Sequence, residues 1–211
     1  MIDWTTVSAL ATGGGTLVLA VATFASVRSA NRAARTAERS LMAGLRPLLV
    51  PSRLEDSQQK VYFAGGAHVL VGGGRAIVQE DLENKVIFLA ASLRNAGSGL
   101  AVLHGWRFYP LDMRADHRPE LAEFTAQTRD LYVPAGDAGF WQGAFRDPDD
   151  PAYDEALRAI KARSPLTVDL LYGDFEGGQR VITRFVLRVA GDDSWVSSAT
   201  HHWNVDRTDP R

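Results

Sequence analysis

The chain has 211 residues, a formal net charge of −2 and no cysteine. The lack of cysteine excludes disulfides, thiolate metal sites and cysteine nucleophiles, and the near-neutral charge provides no basic field for nucleic acid. The length leaves room for a single domain of moderate size beyond any terminal helix. We therefore expect neither a cofactor nor a nucleic acid partner.

The first segment, residues 4–27, contains no Asp, Glu, Lys or Arg. At a rise of about 1.5 Å per residue, a helix of this length spans a hydrocarbon core of roughly 30 Å, so we predict a transmembrane helix. The segment is only moderately apolar, because threonines, serines and the Gly13–Gly15 triplet dilute it. A secretory signal peptide is the main alternative, but no basic residue precedes the apolar run.

Residues 28–45 predict an amphipathic juxtamembrane helix, with arginines on one face and alanines and leucines on the other. Basic residues beside a span stay on the cytoplasmic side, which predicts an outside N-terminus and a cytoplasmic C-terminal domain. The arginine face is either solvated or in contact with anionic headgroups, and the alanine face permits a homo-oligomer. The headgroup candidates are Arg28, Arg32, Arg35 and Arg39.

Residues 46–205 predict a mainly β domain, an antiparallel Ig-like β-sandwich. Short runs rich in Val, Leu, Phe and Tyr alternate with turns rich in glycine, asparagine and proline. The run Lys85–Arg94 is apolar on both faces in its middle, which is typical of a central strand. Within Leu166–Val189, two runs in which side-chain character alternates roughly with a period of two flank a glycine-rich turn. This pattern predicts a hairpin.

Helical and irregular segments interrupt and follow the predicted strands. Asp150 is placed to cap a short inserted helix that begins at Pro151, because an N-cap carboxylate followed by proline is a common helix start. Residues 119–128 are expected to form one or two helical turns, since they are rich in good helix formers. Residues 206–211 are expected to form a disordered tail.

The run LRNAGSGLAVLHGW, residues 93–106, predicts a strand, a tight loop and a returning strand. It resembles the corresponding part of uncharacterised bacterial single-pass membrane proteins that have an N-terminal helix, an Arg-Pro junction such as Arg46–Pro47, and a β-sandwich body. The resemblance implies a place in the bacterial inner membrane and no known activity. The residues that carry it are Asn95, Gly97, Gly99 and Ala101.

These patterns favour a non-enzymatic binding or scaffolding protein whose protein partner is unknown and whose anchor contacts the lipid bilayer. A β-sandwich binds through its end loops or through an exposed edge strand. The loop between the two central strands and its neighbouring aromatic residues form the candidate surface, with burial of the aromatics in the core as the structural alternative. The candidate binding residues are Asn95, Gly97, Gly99, Trp106, Phe140 and Trp141.

Two other functions stay open at this point. A membrane-tethered hydrolase would use His104 or His201 with a carboxylate such as Asp169, provided that the groups lie within hydrogen-bond reach. A subunit of a larger membrane complex would use the N-terminal helix as its contact. The adjacent His201 and His202 point to opposite faces of a strand, so we expect no metal site there.

Overall fold

A computed structural model describes residues 4–110, 118–191 and 194–207, without the side chains of residues 4–7, 9, 11, 43 and 110. The chain divides into two compact units, Met1–Gly44 and Leu45–Arg211. The helices are α1 (Trp4–Gly44) and α2 (Pro151–Lys161), with a short 3-10 helix at Leu121–Glu123. The strands are β1 (Leu49–Pro51), β2 (Gln59–Tyr62), β3 (His68–Val71), β4 (Arg75–Asp81), β5 (Val86–Asn95), β6 (Ala101–Pro110), β7 (Thr125–Val133), β8 (Ala138–Phe145), β9 (Leu166–Gly173), β10 (Val181–Val189) and β11 (Trp195–Asn204).

Helix α1 is one continuous helix of 41 residues, so the two helices predicted from the sequence join without a break. The hydroxyls of Thr12, Thr16 and Thr23 donate to carbonyls one turn earlier at 2.8–2.9 Å, which satisfies them within the helix. Apolar side chains in this part of α1 are exposed, by 67 % for Leu17 and 68 % for Phe24. Among the described residues, no helix combines the length and the hydropathy needed to cross a membrane.

The β domain is built on an antiparallel, curled sheet that has nine strands in the described part of the chain. The strand order is β1–β5–β4–β11–β10–β9–β6–β7, and β8 pairs with β5. Strand β5 is therefore paired along both edges, as its apolar sequence predicts. The separate hairpin β2–β3 packs Val61 and Val69 against Phe88 of β5. The mainly β class predicted from the sequence is confirmed.

The main core lies inside the curl of the sheet. Alternate residues of the strands point inward, and they include Leu89 of β5, Trp141 of β8, Val168 of β9 and Phe185 of β10. Helix α2 adds the buried ring of Tyr153 to this core. Its predicted cap is present, because the Asp150 carboxylate accepts a hydrogen bond from the N–H of Ala152 at 2.9 Å.

Two segments differ from the sequence-based expectation. Residues 119–128 form only the 3-10 helix before β7 begins at Thr125, because pairing with β6 overrides the local helix propensity. Asp206, predicted to lie in a disordered tail, accepts hydrogen bonds from the Arg180 guanidinium at 2.6 and 3.1 Å. The rest of that tail, residues 208–211, lies outside the described residues.

Candidate functional site

Asn95 joins three segments of the β domain through its side chain, which is completely buried. Its Oδ1 accepts hydrogen bonds from the N–H groups of Leu48 and Gly97 at 3.1 and 2.9 Å. Its Nδ2 donates to the carbonyl oxygens of Gly99 and Val133 at 2.6 and 3.0 Å. Every donor and acceptor of the amide is thus used within the domain, so Asn95 presents no polar group to a ligand.

Gly97 and Gly99 permit a close approach between the β5–β6 loop and the start of the domain. A Cβ atom on Gly99 would overlap the carbonyl oxygen of Leu45, and one on Gly97 would overlap that of Arg46. Only glycine fits where two backbones approach this closely. The geometry of this loop is therefore explained by packing against the residues that lead into β1.

The predicted aromatic residues lie mainly in the core. Trp141 is 1 % exposed and Trp106 is 7 % exposed, and their rings meet edge to face with centroids 5.6 Å apart. Phe140 is half-buried, with the guanidinium carbon of Arg129 at 5.7 Å from its ring centroid. The structure therefore does not bring these aromatics and the Asn95 loop into one exposed surface, and binding through that set stays a prediction.

A cleft of about 140 Å³ lies between β7 and β8. A short turn connects the two strands, yet no ladder pairs them in the described part of the chain. The β6–β7 ladder passes from the pair Leu103–Leu131 to the pair Gly105–Ala126, which leaves residues 127–130 outside it. Extra residues in one strand bend that strand away from its neighbours. This irregularity accounts for the opening between β7 and β8.

Side chains partly replace the missing ladder between β7 and β8. The Gln127 Nε2 donates to the backbone carbonyl of Gln142 at 3.0 Å, and Arg129 donates to the Gln142 Oε1 at 2.9 Å. In an antiparallel strand, every second residue directs its N–H and C=O to the same edge. Since the carbonyl of Gln142 faces β7, the N–H and C=O of Ala144 face the cleft as well. No strand in the described residues pairs with Ala144 on that side.

The floor of the cleft is aromatic. Trp106 and Ala144 line both the cleft and an open groove of about 340 Å³ that continues from it, and Phe108 and Phe145 line the groove. The Phe145 ring packs edge to face against Trp106 at 5.4 Å and against Phe108 at 5.2 Å. Such contacts fix the orientation of the rings. The cleft and the groove therefore share one continuous aromatic floor.

The rim of the groove is charged and is acidic toward α2. Arg107 and Glu123 form an ion pair at 2.9 Å and neutralise each other. Arg146 is then the remaining cation beside the carboxylates of Asp147 and Asp150 that line the groove. The N-terminus of α2 offsets part of this negative charge. The exposed acidic residues at this end are Asp147, Asp149, Asp150 and Asp154.

The carboxylate of Asp169, considered above as a catalytic acid or base, is committed to an ion pair. It is fully buried and accepts hydrogen bonds from the Nε and a terminal nitrogen of Arg184 at 2.8 and 3.0 Å. The Arg184 guanidinium lies over the rings of Tyr109 and Trp203 at 4.6 and 4.8 Å. His201 stacks on the Trp203 ring at 4.9 Å. Both oxygens of Asp169 are therefore occupied by Arg184.

His104 lies at the irregularity of β6, where it falls outside the β6–β9 ladder. Its Nε2 is buried and has no hydrogen-bond partner among the described residues. Burial, followed by the charge of Arg180, lowers the pKa of His104 below its ordinary value of 6.5, and Asp174 opposes the shift. The folded state therefore favours the neutral imidazole.

This shift of the His104 pKa predicts a pH-dependent stability. Below about pH 6.5 the unfolded chain binds more protons at His104 than the folded chain does. The stability contributed by the neutral His104 is therefore fully present above that pH, and it falls as the pH drops toward the folded-state pKa. We expect urea midpoints at about pH 7 and about pH 5 to differ less in His104→Gln than in the unmodified protein. The matched substitution at an exposed histidine, His68→Gln, should preserve the difference. An unchanged difference in His104→Gln would contradict the assignment.

No group of three or more metal-ligating side chains is placed to hold an ion within residues 4–110, 118–191 and 194–207. Comparisons with protein-family models, with curated proteins and with solved structures find no match to this chain. Among the features described above, the cleft between β7 and β8 combines an apolar floor, an unpaired strand edge and a charged rim.

Proposed function

We propose that this protein is a membrane-anchored, non-enzymatic binding or scaffolding protein whose β domain holds a segment of a protein partner in the β7–β8 cleft. The cleft is the observation that carries the proposal, because two strands diverge there over an aromatic floor. An unpaired strand edge is a template for pairing with another chain. Strand addition to such an edge is a recurrent mode of peptide recognition.

Helix α1 is the proposed anchor. Residues 4–27 contain no charged side chain, and Leu17, Val18 and Leu19 are consecutive, so they project in different directions and are 67–69 % exposed. A helix that is apolar on all sides is stable when lipid or other helices cover it. The proposal depends on the whole sequence from residue 4 to residue 27, including residues whose side chains the structure does not describe.

The continuity of α1 limits which arginines can reach lipid headgroups. Arg28 and Arg39 are separated by about 16 Å along a straight helix axis, whereas surface charge is screened within about 8 Å. For a helix that crosses the bilayer, headgroup contact is therefore assigned to Arg28 and Arg32, and Arg35 and Arg39 lie farther from the surface. The basic flank supports an outside N-terminus and a cytoplasmic β domain at a bacterial inner membrane.

The Ig-like β-sandwich expected from the sequence is part of this proposal. Within the described part of the chain, two residue pairs, Trp195–Ala76 and Val196–Arg75, join β11 to β4. This short link supports a division of the curled sheet into two packed faces at that point. In the described residues, the inserted α-helix is α2, whose N-terminus lies at the groove.

Photocrosslinking in cells tests the binding role. A photoreactive amino acid at Thr125, which is exposed and lines the cleft, should give a discrete adduct with one protein. The same photoreactive amino acid in place of Ala162, which is exposed at the end of α2, is the matched control and should give no adduct. An adduct with a second copy of the chain would identify a homo-oligomer as the partner. The absence of adducts at Thr125, or equal adducts at both positions, would contradict the proposal.

A further inference from the structure

We infer that the partner segment is extended, inserts one leucine- or phenylalanine-sized side chain into the cleft, and carries a lysine or arginine two residues away. This inference deepens the proposed function and rests on it. It goes further by naming the chemistry of the segment, which follows from the volume, backbone edge and rim charge of the cleft.

The volume of the cleft sets the size of the inserted group. The cleft holds about 140 Å³ between Thr125–Thr128 of β7 and Gln142–Ala144 of β8, with Trp106 among its lining residues. An apolar cavity of about 150 Å³ accommodates benzene, so one aromatic or branched aliphatic side chain fills this space. An α-helix has a diameter of roughly 10 Å, which is too wide to enter between two strands joined by a short turn.

The backbone edge sets the conformation of the segment. The N–H and C=O of Ala144 face the cleft and are positioned to exchange hydrogen bonds with an extended chain. The carbonyl of Gln142 already accepts a hydrogen bond from the Gln127 Nε2 at 3.0 Å, so the added chain would pair at Ala144.

The alternation of side chains along a strand sets the position of the charge. Residues i and i+2 of an extended segment point to the same side and lie about 7 Å apart. With residue i in the cleft, the side chain two positions away lies over the adjoining groove, whose rim carries Asp147 and Asp150. Arg107 is neutralised by Glu123, so among the described residues that line the groove Arg146 is the cation that opposes the acidic rim. A basic residue complements this charge.

Capped peptides test the inference on the full chain in detergent micelles. The probes share a glycine-serine frame and differ in one central tripeptide, which is Phe-Ser-Lys, Ala-Ser-Lys or Phe-Ser-Glu. The Phe-Ser-Lys peptide should shift the amide resonances of Thr125 and Ala144 and bind about tenfold tighter than the Ala-Ser-Lys peptide. It should also bind more tightly than the Phe-Ser-Glu peptide, with a preference that weakens at high salt.

Matched variants locate the binding. Thr125→Trp and Ala126→Trp fill the cleft from exposed rim positions and should each abolish the preference for Phe over Ala, whereas Ala135→Trp, exposed in the β7–β8 turn, should preserve it. Asp147→Asn should weaken the preference for the Lys peptide over the Glu peptide. It should leave the preference for Phe over Ala unchanged. Melting temperatures identify any variant that fails to fold.

Equal affinity for the Phe and Ala peptides, no amide shift with the Phe-Ser-Lys peptide, or unchanged binding in both folded tryptophan variants would overturn the inference. Photocrosslinks from Thr125 that persist alongside such a result would leave the proposed binding function standing and refute only the chemistry assigned to the segment. If the peptide preferences and the Thr125 photocrosslinks are both absent, the proposed binding function and the chemistry assigned to the segment are both refuted.

Discussion

Replacing Arg184 with alanine is expected to lower the free energy of unfolding by about 3–5 kcal/mol. The guanidinium supplies hydrogen bonds to both carboxylate oxygens of Asp169, whose side chain is completely buried. Without Arg184, the buried carboxylate loses both of its hydrogen-bonded nitrogens, and its cross-strand neighbour Arg107 is already paired with Glu123. The same change removes the cation from the faces of Tyr109 and Trp203.

Urea unfolding of the Arg184→Ala variant measures this effect. Arg188→Ala, at an exposed position on the same strand, is the matched control and should change the free energy of unfolding by less than about 0.5 kcal/mol. The double variant Asp169→Leu with Arg184→Met removes both charges and should recover most of the loss. A decrease below about 1 kcal/mol in Arg184→Ala would show that the pair is not desolvated as described.

The second large effect is expected for Asn95→Ala, which should lower the free energy of unfolding by at least about 3 kcal/mol. The substitution removes the partners of four backbone groups, namely the N–H groups of Leu48 and Gly97 and the carbonyls of Gly99 and Val133. Each buried group left without a partner is unfavourable by about 1–3 kcal/mol. The three segments that Asn95 joins would lose their common attachment.

Thermal and urea unfolding of Asn95→Ala, beside Ser98→Ala in the same loop, test this role. Ser98 is exposed, so its substitution should leave stability nearly unchanged. Asn95→Asp should also be destabilising, because a carboxylate cannot donate to the carbonyls of Gly99 and Val133. Equal stability of Asn95→Ala and Ser98→Ala would contradict the assignment of Asn95 as a structural residue.

Local patterns were sufficient to predict the elements that depend on nearby residues. The doubly apolar run of β5 predicts a strand paired on both edges, and β9 and β10 form the expected hairpin. Asp150 caps α2 by accepting a hydrogen bond from the N–H of Ala152. This cap was predictable because the two residues lie two positions apart in the chain. The threonine hydroxyls of α1 find carbonyls one turn away for the same reason.

Features set by distant parts of the chain were not predictable in this way. Residues 119–128 have helix propensity, yet β6 recruits most of β7 into the sheet. The cleft depends on where the β6–β7 register slips, which no local pattern specifies. The polar stretch Thr125–Asp130 before an apolar strand end is the one signal of an irregular edge. The burial of Trp106 and Trp141 was not predictable, because a sequence does not show which face of a strand is covered.

Membrane fractionation of the full-length chain tests the central claim, that residues 4–27 hold the protein in a bilayer. We expect the protein to sediment with membranes and to resist extraction at alkaline pH. Leu19→Arg, which places a charge within the apolar segment, should release it, whereas Thr36→Arg, beyond that segment on the same helix, should not. A full-length chain that stays in solution without detergent, or Leu19→Arg protein that partitions like Thr36→Arg, would contradict the account.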